Sequence, residues 1–518
     1  MRSPSIFNDV IGPVMRGPSS SHCAAAVRIG RLAHDLMGGQ IAAVTVRFDP
    51  QGSLATTHTS QGSDMGLFGG LLGWEPTDAR LVDSRAALQA SGADLRIEIA
   101  PLPYDHPNTY HLELRGPDRS HSLTALSTGG GMIEVVAIDG LSLSLDGGLH
   151  ETLVIGTGVP PAIARGNLLR DGDRWQLEIP SDHALSDDEL ASFDLPCDVE
   201  IARLRPVLPI LSSGDDLAPY TTCAEMLASA DPKTPLWRHA LRYEAARGAI
   251  SEERVLQMMG EIVSLLREAL RQGLSGTQYT DRILGYQSGR LLERETHGAL
   301  LPDTLLNRMI AYVAALMEVK SSMGVIVAAP TAGACAGLPG ACLAAADVMG
   351  LDDGDVAKAL LAGGVIGVFI AARSTFAAEV CGCQAECGAG SGMAAAALAT
   401  MAGGSTHQAV AAASLALQNI LGMICDPVAN RVEVPCLGRN VLAASNALAC
   451  ANMALADFDA VVPLDEVIAT MDAVGKALPR ELRCTALGGL SVTPTSQAIE
   501  KRLADNNQDT SQEARCSF

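Results

Sequence analysis

The sequence predicts a multidomain protein in which an N-terminal α+β (α/β-like) domain is followed by a mainly α-helical domain. Three observations predict it. Over residues 1–150 the apolar pattern changes period, with helical spacing in "SSHCAAAVRIGRLAHDLMG" and strand-like alternation in "QIAAVTVRF" and "NTYHLELRG". Beyond about 220 nearly every stretch has helical periodicity. Between 310 and 475 the helices become rich in Ala and Gly and poor in aromatic residues. Small residues on all faces let helix axes approach closely, so this half reads as a compact bundle with buried central helices.

Each segment follows from its own composition. "STGGGMIEVVAIDG" (127–140) places three glycines ahead of a strand, where the backbone must turn with positive φ or approach a ligand closely. Residues 151–215 are Pro-, Asp- and Ser-rich between short strand-like runs such as "LVIGTG" and "RWQLEIP", and read as a small inserted α/β module or linker. "ISEERVLQMMGEIVSLLREALRQGL" (250–274) is an amphipathic helix opened by Ser251, with Glu252 and Glu253 in its first turn. The helical domain is expected over 216–505. The polar end, 506–518, is expected to be a flexible tail.

The chain has 518 residues and is 48% hydrophobic, enough for two to four domains with proper cores. Its 58 acidic and 37 basic residues leave a net charge of −21, with no basic stripe to meet phosphates, so nucleic acid and anionic membrane surfaces are poor partners. The start, "MRSPSIFNDVIGP", has no signal-peptide pattern. Apolar stretches such as "ALLAGGVIGVFIAA" (359–372) are short and glycine-broken for a bilayer span. The expectation is a cytoplasmic protein without a membrane partner.

Thirteen cysteines in so long a chain do not form a small disulfide scaffold, and in a reducing compartment clustered cysteines point to metal or redox chemistry. "CGCQAEC" holds Cys381, Cys383 and Cys387; Cys425 and Cys436 each sit beside a proline, where loops present side chains. No paired CxxC motif with a partner histidine marks a zinc finger. Three thiolates from different loops suit an iron-sulfur cluster with one iron open to a substrate oxygen. Taken singly, each cysteine also suits a small apolar filler of a tight bundle.

Seven motifs, in order, carry a resemblance: "RGPSSSHC", "STGGG", "LSGTQ", "MGVIVAAPTAGACAGLPG", "GCQAECGAGSGMAAAA", "CDPVANRVEVPCLGRN" and "ALGGLSVTPT". Together they resemble the iron-sulfur-dependent L-serine dehydratases, from residue 5 to about 500, with 151–215 unaccounted for. The resemblance implies fused β-type and α-type domains and a [4Fe-4S] cluster without pyridoxal phosphate. The cluster ligands it implies are Cys383, Cys425 and Cys436, at separations of 42 (425 − 383) and 11 (436 − 425). It implies elimination of water from serine, a small amino-acid substrate, and a homo-oligomer, with a dimer as the simplest form.

Carried onto this chain, Ser19, Ser20 and Ser21 offer a polar cradle for substrate, and His22 an acid/base group. Gly129 and Gly130 are candidate binding positions, as are Thr331 of "APTAGA" and Lys320. Two positions depart from the family. Gln61 stands in "SQGSD" where the family's candidate base is a histidine, and glutamine exchanges no proton near neutral pH; His58, three residues earlier, is the substitute. Lys320 occupies a position that is often asparagine and could take a second substrate carboxylate. Another β-hydroxy or β-substituted amino acid, or a cluster-bearing sensor without turnover, therefore stays open beside serine. Cys516, in the final "ARCSF", is a possible tail ligand.

Overall fold

The structure, a computed structural model, describes residues 3–161, 165–193, 195–211, 217–229 and 233–516, with side chains as far as Asp505. The chain divides into two compact units, Ser21–Asp215 and Met1–Ser20 with Asp216–Phe518. A sheet-rich unit and a helical unit follow one another as the periodicities predict. The boundaries differ from the expected ones: the first twenty residues belong to the helical unit, and 151–215 belongs with the N-terminal unit.

The Ser21–Asp215 unit is built on strands β1 (Ala43–Phe48), β2 (Asp94–Ile99), β3 (Thr109–Arg115), β4 (Ser120–Gly129), β5 (Met132–Ile138) and β6 (Leu141–Leu145), in the order β2-β1-β3-β4-β5-β6. Only β1 and β2 pair in parallel. Alternation buries Val44, Val46 and Phe48 of β1 and Tyr110, Leu112 and Leu114 of β3 with Ile29, Leu32 and Leu36 of helix α1 (Ala25–Leu36) and with Leu67, Phe68 and Leu71 of α2 (Ser63–Leu71). The β4–β5 turn uses Gly129, Gly130 and Gly131 at φ of 110°, 62° and 95°, a left-handed run that side chains disfavour.

Helices α1 and α2 meet backbone to backbone. A Cβ on Gly70 would lie 2.2 Å from the Val27 carbonyl oxygen, and one on Gly66 would lie 2.2 Å from that of Cys23. This approach brings the start of α2 beside the turn Ser20–Ala24 that leads into α1.

The segment expected as a small α/β module is an antiparallel four-stranded sheet, β7 (His150–Thr157), β8 (Asn167–Asp171), β9 (Arg174–Ser181) and β10 (Glu200–Leu204), ordered β10-β7-β9-β8. One short helix, Asp187–Ala191, closes over Trp175, Leu177 and Ile179. His121 of β4 ties this sheet to the larger one, with Nδ1 2.8 Å from Asp139 and Nε2 3.0 Å from Glu200 of β10.

The other unit contains α3 (Leu236–Gly248), α4 (Glu252–Ser275), α5 (Ser288–Thr296), α6 (Thr304–Ser321), α7 (Gly337–Met349), α8 (Asp353–Arg373), α9 (Cys387–Met401), α10 (Thr406–Gln418), α11 (Cys436–Leu455), α12 (Leu464–Ala477) and α13 (Pro494–Cys516). Ser251 caps α4 as its sequence predicts, accepting from Arg254 N at 3.1 Å. Nearly every residue of α9 is buried, and α7, α8, α10 and α11 pack around it. Ala332–Met349 and α8 are long and apolar enough to cross a bilayer, longer than the sequence runs suggested, yet about four-fifths of each is buried inside the unit. Residues 506–518, expected as a flexible tail, have a helical backbone as far as Cys516, and their side chains lie outside the described residues.

The first twenty residues join this unit through Glu244 of α3, whose carboxylate accepts from Ser5 Oγ and, at 2.7 Å, from Ile6 N. Val14–Met15 then pairs antiparallel with Ile326–Val327.

Because the α1–α2 contact has no room for a methyl group, Gly70→Ala should destabilise the protein by about 1–3 kcal/mol or more. A lowered thermal unfolding midpoint would register it.

Candidate functional site

In the helical unit three separate stretches deliver thiols to one place. Gly382, at φ 72°, passes so close to the chain before Cys425 that a Cβ there would lie 2.8 Å from Met423 O. Gln384 staples the two stretches together. Its backbone N–H donates to Met423 O at 3.1 Å, its Oε1 accepts from Gly422 N at 2.8 Å, and its Nε2 donates to Met471 O at 2.7 Å. Cys425 N donates to Leu482 O and Cys484 N to Cys425 O, at 2.8 and 2.9 Å, which brings Cys484 alongside.

Cys436 opens α11, and Asn440 one turn later fixes its surroundings. Asn440 Nδ2 donates to Cys436 O at 2.8 Å and to Gly333 O at 2.7 Å, and stands 3.5 Å from Cys387 Sγ. Its Oδ1 accepts from Gly337 N at 2.9 Å. One carboxamide thereby links Cys436, Cys387 and the "APTAGA" loop.

Cys383, Cys387, Cys425 and Cys484 share one buried cluster, and Cys436 is buried within range of the charge on Cys383. Cys387 donates to Cys383, which holds Cys383 low and raises Cys387. Cys425 is raised by its hydrogen bond to Cys484 and by burial, and Cys436 by burial. Such thiols keep their protons until a metal displaces them. Cys381 stands apart, its Sγ 3.8 Å from Asp472 Oδ1.

The donor set fits an iron-sulfur group. It is all sulfur, which suits soft metal centres. Among the described residues no three His, Cys, Asp or Glu side chains are poised around a single ion, whereas a multi-iron group takes its thiolates on separate irons. Arg439 adds an independent sign. Its Nη2 donates to Asp426 Oδ1 at 2.6 Å, while its Nη1 is buried without a hydrogen-bond partner among the described residues and the guanidinium feels the charges of Cys383 and Cys436. A buried donor aimed at no protein acceptor suits an anionic group.

Four expected binding residues belong to this unit. Thr331 Oγ1 donates to Glu386 Oε1 at 2.7 Å and accepts from Ala334 N at 3.2 Å. Ser20 Oγ accepts from Ala332 N at 3.2 Å, and Ser19 is buried beside it in sequence. Lys320 is buried and donates to Val432 O, in the loop before Cys436, while Glu318 accepts from Gln287 N, Ser288 N and Ser288 Oγ at the start of α5. The side chain of Cys516 lies outside the described residues.

In the N-terminal unit, His22, Ser21 and Gly129 lie on buried polar structure. His22 Nε2 is 2.9 Å from Thr57 Oγ1, which itself donates to Ser53 O at 2.8 Å, so His22 is the donor of the pair. Ser127, two residues before Gly129, donates through Oγ to Ser21 O at 2.7 Å. His58, by contrast, is partly exposed and pairs through Nδ1 with Asp64 at 2.7 Å. Asp64 is itself held by Thr59 Oγ1 at 3.0 Å and Arg85 at 3.3 Å. Gln61, three residues after His58, is buried.

Sequence reasoning missed Cys484, Arg439, Glu386, Asn440 and Asp64. Cys387 was weighed as a filler. Only the four-residue spacing of Cys383 and Cys387 gave a signal; Cys484 comes from a distant loop with no periodicity to mark it.

Burial, then the charge of His58, pushes His22 down to about 3. An unfolded imidazole protonates near pH 6.5, so below that pH the unfolded chain binds a proton that the folded chain refuses. Stability contributed by neutral His22 is full above pH 6.5 and should fall by about 1.4 kcal/mol per unit as pH drops toward 3. Denaturant titrations at several pH values should show His22→Gln with a flatter dependence than the native chain.

Comparison with known proteins adds the family. The sequence model of the serine dehydratase alpha chain matches residues 231–491. A probable L-serine dehydratase alpha chain of Bacillus subtilis (strain 168) is 37% identical over 253 residues, covering 49% of this chain and 84% of that one. The probable beta chain of the same organism is 38% identical over 155 residues, covering 30% of this chain and 69% of that one. An L-serine dehydratase of Helicobacter pylori (strain ATCC 700392 / 26695) is 28% identical over 484 residues, 92% of this chain and 96% of that one. With thiols, loops and helices of 231–491 inside the matched region, this chain belongs to the iron-sulfur-type serine dehydratase family.

Proposed function

We propose that this protein is a lyase that converts L-serine to pyruvate and ammonia by eliminating water across the α and β carbons, with a [4Fe-4S] group held by Cys383, Cys425 and Cys436. The observation that carries this reading is the meeting of those three cysteines, from three stretches of chain, in one buried sulfur centre. When bound, such a group supplies a Lewis-acidic iron that makes the β-hydroxyl a better leaving group.

The residues divide the remaining work. His58 is the acid/base group: its Nδ1 is engaged by Asp64, which orients the ring as a carboxylate orients a catalytic imidazole, and it keeps partial access to solvent. His22, buried and neutral, donates to Thr57 and holds Ser21 in place. Ser19, Ser20, Ser21, Gly129 and Gly130 contribute donors that bind substrate. Thr331 acts through Glu386, whose carboxyl is raised by burial and therefore inclined to keep its proton. After loss of the α-proton and of hydroxide, the enamine becomes an imine that water hydrolyses, so the water lost is regained.

Lys320 commits its ammonium to Val432 O. It acts as an anchor of the loop before Cys436, which supports serine over a substrate with a second carboxylate.

Anaerobic reconstitution should give a brown protein that releases pyruvate from L-serine. Cys383→Ser, Cys425→Ser and Cys436→Ser should each lose iron and turnover, while Cys381→Ala keeps both; retention of bound iron by all three serine variants would sink the assignment. Lys320→Met should weaken iron retention about tenfold by freeing the loop it anchors, measured as iron remaining after challenge with a chelator.

A further inference from the structure

The N-terminal unit contains a closed circuit of buried polar groups. Starting from His22, the imidazole reaches Thr57 Oγ1 at 2.9 Å and Thr57 Oγ1 reaches Ser53 O at 2.8 Å. Ser53 N donates to Pro107 O at 2.8 Å, Ser127 N to Asn108 O at 3.0 Å, and Ser127 Oγ to Ser21 O at 2.7 Å. Ser21 precedes His22 and closes the circuit. Four distant stretches, 21–22, 53–57, 107–108 and 127, are thus held in fixed relation, and each of these polar side chains is buried.

Asn108 breaks the pattern. It is 0% exposed, yet among the described residues neither Oδ1 nor Nδ2 of its carboxamide has a hydrogen-bond partner, although its backbone takes part in the circuit. A buried carboxamide with both ends unsatisfied is costly and rare. A single ligand that satisfies it must offer a donor to Oδ1 and an acceptor to Nδ2 side by side. An α-amino acid zwitterion does so, with its ammonium and carboxylate on one carbon.

We propose that Asn108 is the amino-acid anchor of this protein, with Oδ1 accepting from the α-ammonium and Nδ2 donating to the α-carboxylate of the substrate. The inference rests on the lyase reading above and adds the residue that recognises the part of the substrate that does not react. It places recognition beside Ser21, the residue whose carbonyl the circuit fixes.

The test compares the reconstituted holoenzyme with Asn108→Leu, which keeps the shape and removes both polar ends, and with Asn108→Asp, which replaces the donor by a negative charge. L-serine turnover is measured together with competitive binding of L-alanine, which has the ammonium and carboxylate but no β-hydroxyl. Asn108→Leu should unfold no earlier than the native protein and hold the same iron, while KM for L-serine and the inhibition constant of L-alanine rise at least tenfold; Asn108→Asp should raise both further. Constants within twofold of native in either folded variant would overturn the proposal and leave the carboxamide with water alone. If Asn108→Leu does not fold, Asn108→Asp decides by the same criterion. Native protein that binds L-alanine through Asn108 but releases no pyruvate would overturn the lyase reading and keep the anchor. Turnover with unaltered constants in the variants would do the reverse.

Discussion

Bringing Cys383, Cys425 and Cys436 into one dry sulfur centre is the constraint on which the helical unit depends. Burial and neighbouring groups raise Cys425 and Cys436, while the hydrogen bond from Cys387 holds Cys383 low, so the thiols do not order the centre by themselves. The backbone supplies the geometry instead. Gln384 binds the first stretch to the second, Cys484 and Leu482 bracket Cys425, and Asn440 fastens the third to the loop around Gly333. Each staple is a carboxamide or a backbone pair, an arrangement that orders a loop without adding charge.

The surrounding helices follow from that requirement. α9 begins at Cys387 and runs through the middle of the unit, and its glycines and alanines let neighbouring helices close on it. A Cβ on Gly392 would lie 2.8 Å from Leu417, and one on Gly388 would lie 2.3 Å from Ile420. Positive charge is admitted sparingly and where it serves the centre: Arg439 is oriented by Asp426, the residue after Cys425, and Lys320 is fixed to the loop before Cys436. The N-terminal unit works by a different rule, a circuit of neutral hydrogen bonds that seats His22 and Ser21, with the hydrogen-bonded His58 and Asp64 next to it in sequence.

Much of this was legible in the sequence, for identifiable reasons. Helix α4 announced itself by Ser251 and its acidic first turn, and β1 and β3 by strict alternation, because local rules govern those elements. The cysteine positions were legible through long motifs kept in order. What was not legible depended on chain segments meeting. That the first twenty residues belong with the helical unit rests on Glu244 receiving Ser5 and Ile6, a pairing across more than two hundred residues that no local pattern encodes. Cys484 and Asn108 are hidden for the same reason, and so is the attachment of the module after 150 to the N-terminal unit, which rests on His121 meeting Glu200. Nor does any local pattern encode the partner of Lys320, whose buried ammonium donates to Val432 O more than a hundred residues away.

The central claim is that three cysteines hold an iron-sulfur group whose remaining iron meets the substrate. Mössbauer spectroscopy of anaerobically reconstituted, iron-57-labelled protein, recorded without and with L-serine, tests it most directly. The account predicts one iron site distinct from the others, whose signal alone changes when L-serine is added. A spectrum in which every iron is equivalent and none responds to L-serine would contradict it.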